Sequence, residues 1–143
     1  MQDKEQKSDM EFVFGGMENY KKQDYISCWF YKSAKYIRKG IKCAFVSTNS
    51  ICQGTQVEMT WPHIFNMGIE IYFTHKDFVW TNSAKNKAGV ICSIIGLRGK
   101  NNEPKYIFNN GIQSNVNNIN AYLANARNTI VYKRSKPLAT LLK

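Results

Sequence analysis

A short apolar run that ends at once in a polar turn constrains this chain more than any other feature. Ile41 to Val46 is apolar apart from Lys42, and Ser47-Thr48-Asn49-Ser50 follows directly, with Gln53 and Gly54 closing the stretch. A run of that length bounded by turn formers reads as a buried strand opening into a loop at its carboxyl end. In open α/β sheets that edge is where ligands bind, so the rest of the chain reads as a frame for the turn.

The flanking segments supply the frame. Residues 1 to 11 alternate in charge and read as a solvated helix or a frayed terminus, before Phe12-Val13-Phe14 runs into Gly15-Gly16. From Asp24 the period becomes helical, with Ile26, Trp29, Phe30, Ser33 and Ile37 as the apolar face, Asp24 as cap and Gly40 as stop. After the turn, Gly54 to Phe65 predicts a helix broken or restarted at Pro62, with Thr60 capping. Alternation from Ile69 to His75 predicts a second strand, and helix-strand-helix-strand order predicts a parallel sheet with a crossover. Phe78 to Thr81 and Val90 to Leu97 then read as the two arms of a hairpin across a turn-rich segment. Further on, Asn115 to Ala126 is expected as a short helix and Thr129 to Tyr132 as a short strand.

With 143 residues the chain has room for one ordinary domain. Its net charge of +10 is unevenly placed: residues 1–24 hold four Lys/Arg and six Asp/Glu, the remainder sixteen and four. The field of the later part attracts polyanions, although charge of this sign is also an ordinary aid to solubility. Cys28, Cys43, Cys52 and Cys92 lie in apolar surroundings without CxxC or Cys/His spacing, which predicts buried reduced thiols and no metal site. No apolar run is long enough to span a bilayer and no signal peptide opens the chain. A soluble cytoplasmic protein is the expectation.

The segments Phe45 to Val57, Trp61-Pro62, Gly68 to Ile71 and Phe78 to Lys85 closely resemble the MmeI-like family of bacterial fused restriction-modification enzymes. Their methyltransferase domain modifies adenine N6 in DNA. Asp24-Tyr25 through Ile37, followed by a strand and Ser-Thr-Asn-Ser, also looks like the wider group of amino DNA methyltransferases. The resemblance covers most of residues 11–98. It implies an α/β fold: a partial class I methyltransferase (Rossmann-like) sheet, its C-terminal half with the terminal antiparallel hairpin. Residues 1–98 would be the second half of the catalytic domain, and 99–143, with Arg134-Ser135-Lys136-Pro137, the passage towards a truncated target-recognition domain.

The same resemblance marks what is missing. Family members bind S-adenosylmethionine through a glycine-rich loop and hold the target amine with an Asn-Pro-Pro-aromatic tetrad. Here Gly15-Gly16 are the only adjacent glycines, and Pro62, Pro104 and Pro137 stand apart. In the family the tetrad lies shortly before the segment matching residues 1–14. The chain thus looks like a piece starting just downstream of it, with cofactor binding by the piece in doubt.

Enzymes that modify a base flip it out of the duplex and hold it between aromatic and polar groups. Phe78 and Trp80 are the candidate stacking surface, one of the two expected at the base and the other in the core, with Phe78 preferred. Ser47, Thr48, Asn49, Ser50 and Gln53 are candidates to line the cleft or contact DNA, and equally ordinary turn formers. Lys85, Lys87, Lys133, Arg134 and Lys136 suit phosphate contacts that position rather than specify, or form a solvated face. His63 and His75 lack partner signals, and no catalytic pair emerges from spacing. The leading expectation is a fragment of a DNA adenine methyltransferase, inactive alone, with double-stranded DNA as partner. Its rivals are a small basic nucleic-acid-binding module without catalysis, and one subunit of a split methyltransferase completed by a second polypeptide carrying the amino-terminal half.

Overall fold

A computed structural model of the chain describes residues 2–37, 40–80 and 89–134. Its elements are α1 (Lys4–Phe14), α2 (Ser27–Tyr36), β1 (Lys42–Thr48), α3 (Gly54–Asn66), β2 (Ile69–Trp80), β3 (Val90–Gly99), β4 (Lys105–Asn109) and β5 (Ile112–Val116), with 3-10 turns at Tyr20–Lys22 and Asn49–Cys52. The five strands form one sheet in the order β1-β3-β2-β4-β5.

The crossover from β1 through α3 to β2 brings two strands running the same way, as the sequence pattern anticipates. They are not neighbours, however, because β3 lies between them and pairs antiparallel with both. The expected hairpin is present: Val79 faces Ile91 and Trp80 faces Val90 across it. The expected strand ending at His75 instead continues to Trp80 through an irregularity between His75 and Phe78, so the two predicted segments are one bent strand. A bulge of this kind re-aims the chain without ending the pairing and leaves no clear trace in residue type.

Strand β1 differs from the expected buried strand. Among the described residues it pairs with β3 alone, and up to Val46, which is 48% exposed, it alternates between exposed and half-buried positions. Its apolar residues reflect a strand at the sheet edge rather than one enclosed on both sides.

The helices pack on one face of the sheet. Phe30, Val57, Trp61 and Ile64 meet Ile69, Ile71, Ile95, Leu97 and Ile107 in the main core, and a smaller cluster of Met10, Phe14, Cys28 and Tyr31 joins α1 to α2. The charged first residues therefore form a docked helix, opened by a capping box between Asp3 and Gln6. Within α2, Trp29 points outward and is half-exposed, while Cys28, Phe30, Tyr31 and Ala34 carry the buried face. The helix begins at Ser27 without a side-chain cap and ends at Tyr36; Asp24 is used elsewhere, and Gly40 lies beyond the helix with φ at +86°.

Helix α3 runs unbroken through Pro62. An interior proline costs about 3 kcal/mol. Val57, Trp61 and Ile64 are each fully buried on one stripe of the helix, and burying side chains of this size is worth roughly 1.5–3 kcal/mol apiece. Packing therefore outweighs the break, and Thr60, inside the helix, donates to Gln23 instead of capping. Beyond β3, the expected helix at 115–126 and strand at 129–132 are absent: β4 and β5 form an antiparallel hairpin, and β4 joins β2 in parallel. Ile119, Ala121 and Leu123 fold back into the main core.

At the end of the sheet opposite the turn, Arg98 is buried among charges. Its Nε donates to Glu70 at 2.8 Å and its guanidinium also reaches the Glu103 carboxylate at 3.0 Å and the Glu103 carbonyl oxygen at 2.6 Å. Lys105 pairs with the second Glu70 oxygen at 3.2 Å and Lys42 with Glu103 at 2.8 Å. The cluster ties the starts of β1, β2 and β4 to the end of β3. A hydrogen bond from Lys42 holds the Glu103 carboxyl below its usual range. That contribution is present above the ordinary carboxylate range and is lost as pH falls through the lowered folded value.

Removing one partner of such a buried pair leaves an uncompensated charge. Arg98→Ala is expected to cost about 3 kcal/mol, the low end of the usual range because Lys105 remains on Glu70. Chemical denaturation checks this: the double variant Glu70→Ala, Arg98→Ala should lose less than the sum of the single losses.

Candidate functional site

The turn after β1 is held from three sides. Beneath it, the indole Nε1 of Trp61 donates to the Ile51 carbonyl at 2.9 Å inside the core, fixing the 3-10 turn Asn49–Cys52 to α3. On one flank, Ser50 Oγ donates to Asp24 Oδ2 at 2.8 Å, and Thr48 Oγ1 lies 2.9 Å from Ser50 Oγ. The single Ser50 hydroxyl proton goes to the carboxylate, so Thr48 is the donor of the second bond. The Asp24 amide in turn donates to Gln56 Oε1 at 2.8 Å, and Gln56 Nε2 to the Lys22 carbonyl at 3.0 Å. On the other flank, Asp77 accepts from Ser93 Oγ at 3.1 Å and from Asn49 Nδ2 at 3.4 Å.

Asp77 occupies the irregular step of β2 with φ at +23°, a conformation that non-glycine residues seldom adopt. It links the turn to the hairpin arm carrying Phe78 and Trp80. Neither aspartate stands out as a site residue from sequence. Asp24 resembles a helix cap, and nothing in residue type announces that Asp77 sits where the strand bends.

The sequence candidates distribute unevenly around this frame. Thr48 and Gln53 are exposed and Asn49 and Ser50 half-buried, whereas Ser47 is buried and its hydroxyl, like that of Thr74, has no partner among the described residues. Phe78 and Trp80 lie two positions apart on one strand and so share a face; their rings are 6.4 Å apart, Trp80 is 51% exposed, and neither enters a core cluster. The expectation that one of them faces the core is therefore corrected: side chains two residues apart in a strand point the same way. Lys133 and Arg134 are exposed, and the Lys133 amide donates to Glu58 at 2.7 Å, bringing this strap beside Gly54 and Thr55 at the start of α3. Lys85, Lys87 and Lys136 lie outside the described residues.

A groove of about 640 Å³ opens next to the turn, with Thr48, Lys7, Lys21, Lys22, Gln23 and Asp24 in its lining. His75 stacks on Phe108 at 4.3 Å and 7°, an aromatic contact rather than an acid–base pair. Among the described residues no group of three or more His, Cys, Asp or Glu side chains could hold a metal, and no helix is long and apolar enough to cross a membrane. Burial raises the Cys28 thiol to about 11. Burial, then the Asp77 charge, pushes Cys52 up further. A hydrogen bond to Asp9 lifts the Tyr25 phenol to about 12.

A family model described as the DNA-methyltransferase domain of MmeI matches residues 1–109. The chain is 46% identical over 144 aligned positions to DNA methyltransferase A of Bacillus subtilis (strain 168), covering 99% of this chain and 16% of that protein. It is also similar to the solved structure of the type IIL restriction-modification enzyme MmeI in complex with DNA, at a TM-score of 0.90 and 39% identity over 98% of this chain and 20% of the other. The chain thus spans about a sixth to a fifth of the length of these relatives.

The thiols give a direct check of the packing around the turn. Alkylation in mild alkali is expected to modify half-buried Cys43 first, with Cys28 and Cys52 reacting only on unfolding. Their raised values keep both protonated while an ordinary thiol ionises. Mass spectrometry of partially alkylated protein reads the order, and early modification of Cys52 would contradict the buried turn.

Proposed function

The chain belongs to the MmeI-type family of DNA-methyltransferase domains, and from that membership we propose that it is part of the methyltransferase module of a bacterial restriction-modification enzyme that methylates adenine N6 in double-stranded DNA. The observation that carries the reading is the match of the family model over 1–109 together with a sheet in which β3 inserts antiparallel between β1 and β2. That arrangement supports a class I methyltransferase sheet of which this chain supplies the hairpin end. Residues 99–143 then lead out of the catalytic domain towards target recognition, although β4 still belongs to the same sheet.

Use of S-adenosylmethionine follows from the family, but the residues around the turn do not fit it. There is no glycine-rich loop in the sequence, and the groove beside Thr48 sets Lys7, Lys21 and Lys22 against a single carboxylate, Asp24, that already accepts from Ser50, an excess of positive charge that disfavours a sulfonium cation. The chain alone is therefore inactive, and a second polypeptide, or another stretch of a longer one, supplies cofactor binding and the catalytic tetrad. What this chain contributes is the far wall of the cleft. Thr48, Asn49, Ser50 and Gln53 border it, and Phe78 and Trp80 offer the flipped base a π-surface worth about 1–3 kcal/mol. Lys133 and Arg134 contact the DNA backbone from beside α3, and Lys85, Lys87 and Lys136 are proposed for the same role. The enzyme works in the cytoplasm, where the DNA is.

A basic binding module without catalysis is the second reading, favoured by the net charge of +10. Transfer of labelled methyl groups from S-adenosylmethionine to duplex DNA separates the two. The purified chain is expected to transfer none, and a polypeptide corresponding to the remainder of the relatives' methyltransferase module should restore transfer to adenine N6. Transfer by the chain alone would overturn its inactivity; failure of complementation would favour the binding module. In the complemented enzyme, Trp80→Ala is expected to lower kcat/KM by roughly 5- to 150-fold, the equivalent of one aromatic stacking interaction.

A further inference from the structure

Residues 1–24 are net acidic in sequence, yet folding sorts their charges. All four lysines of the segment, Lys4, Lys7, Lys21 and Lys22, line a surface of two adjoining grooves where α1 meets the Tyr20–Lys22 turn, the two sharing Gln2, Lys7 and Lys21. Only two of the six acids, Glu11 and Asp24, line it at all. The Asp24 carboxylate already accepts from Ser50, and Asp9 is turned to the α2 side, where it accepts from Tyr25 at 2.6 Å. Asp3 is spent on the amino-terminal cap of α1.

Thr48, on the turn that borders the proposed cleft, lines the second of these grooves. We infer that this surface is a track for the sugar-phosphate backbone of duplex DNA, feeding the strand towards the Ser47–Gly54 turn. The inference rests on the reading that the module acts on DNA. Helix α1 has 11 residues, so duplex lying along it would run beside about 16 Å of protein. At one charge per ~1.7 Å of duplex axis, that length of DNA offers ample phosphate for the four ammonium groups. Gln2, Gln6 and Ser8 supply neutral polar groups between them, as backbone-positioning contacts do. None of these side chains reads a base, so the track sets register and orientation and leaves sequence choice to other parts of the enzyme.

Salt dependence of binding to a short DNA duplex, followed by fluorescence anisotropy across a series of KCl concentrations, tests it with the full chain. The triple variant Lys7→Gln, Lys21→Gln, Lys22→Gln is expected to flatten the log-log slope by about 2.7, at ~0.9 for each phosphate no longer neutralised. The same positions changed to Arg should keep the slope. Lys32→Gln, Lys35→Gln, Lys100→Gln removes equal charge away from the groove and should change the slope by less than about 1, the share of a single phosphate. Thermal melting of each variant checks that the fold is kept. Equal flattening by both Gln triples would reduce the groove to a general field effect and overturn the track, as would an unchanged slope in the groove variant. A wild-type chain with no affinity for duplex DNA would remove the DNA reading and the track together.

Discussion

Every strand-to-strand contact between β1 and β2 passes through β3. Because β3 runs against both, two strands of the same direction share one antiparallel partner, and a shift in its register would displace the turn on one side and the aromatic arm on the other. Close packing limits that shift: a Cβ at Gly96 would collide with the Phe73 ring, and the buried Arg98 fixes the end of β3 to Glu70 and Glu103. A charge pair enclosed in this way is a weak source of net stability, but a register that left one of its charges buried and unpaired would be costly. The polar turn and the hairpin arm inherit their relative position from this strand. Asp77 then makes the link direct, accepting from Ser93 on β3 and from Asn49 on the turn.

Much of this fold is legible in the sequence. The helical periods of α2 and α3 follow from apolar spacing that burial enforces, and the strand leading into the turn and the hairpin from runs of β-branched and aromatic residues, although β1 and the outer hairpin residues are largely exposed. The elements that differ from expectation share a cause, which is that the deciding energy is tertiary. Pro62 stays in a helix because Val57, Trp61 and Ile64 are buried together. Asp24 caps nothing because Ser50, distant in sequence, claims its carboxylate. The segment after β3 forms a hairpin because β2 offers β4 an edge to pair with, a fact that residues 105–116 do not contain.

The site is legible in its residue types and poorly so in its arrangement. Ser47 to Ser50 do border the turn, but the core takes the Ser47 side chain, and Phe78 and Trp80 stand together where the expectation sets them apart. The lysines beside Thr48 come from a stretch whose summed charge is negative. Summed charge along a chain records composition, whereas a folded surface records which groups share a face: Lys4 and Lys7 of α1 meet Lys21 and Lys22, while Asp9 turns to Tyr25.

Strand β1 carries one further consequence, set by the order of the reactions in which it takes part. Folding of the chain is first order in protein, but pairing through an unpaired strand edge is second order, so dilution favours the monomer without altering its fold. Ala44 and Val46 along that edge are exposed and uncharged, and Lys42, the one cation there, is engaged by Glu103. Among the described residues nothing else guards this edge against pairing with its own copies. A strand laid along β1 would pair those groups and take the edge out of that competition.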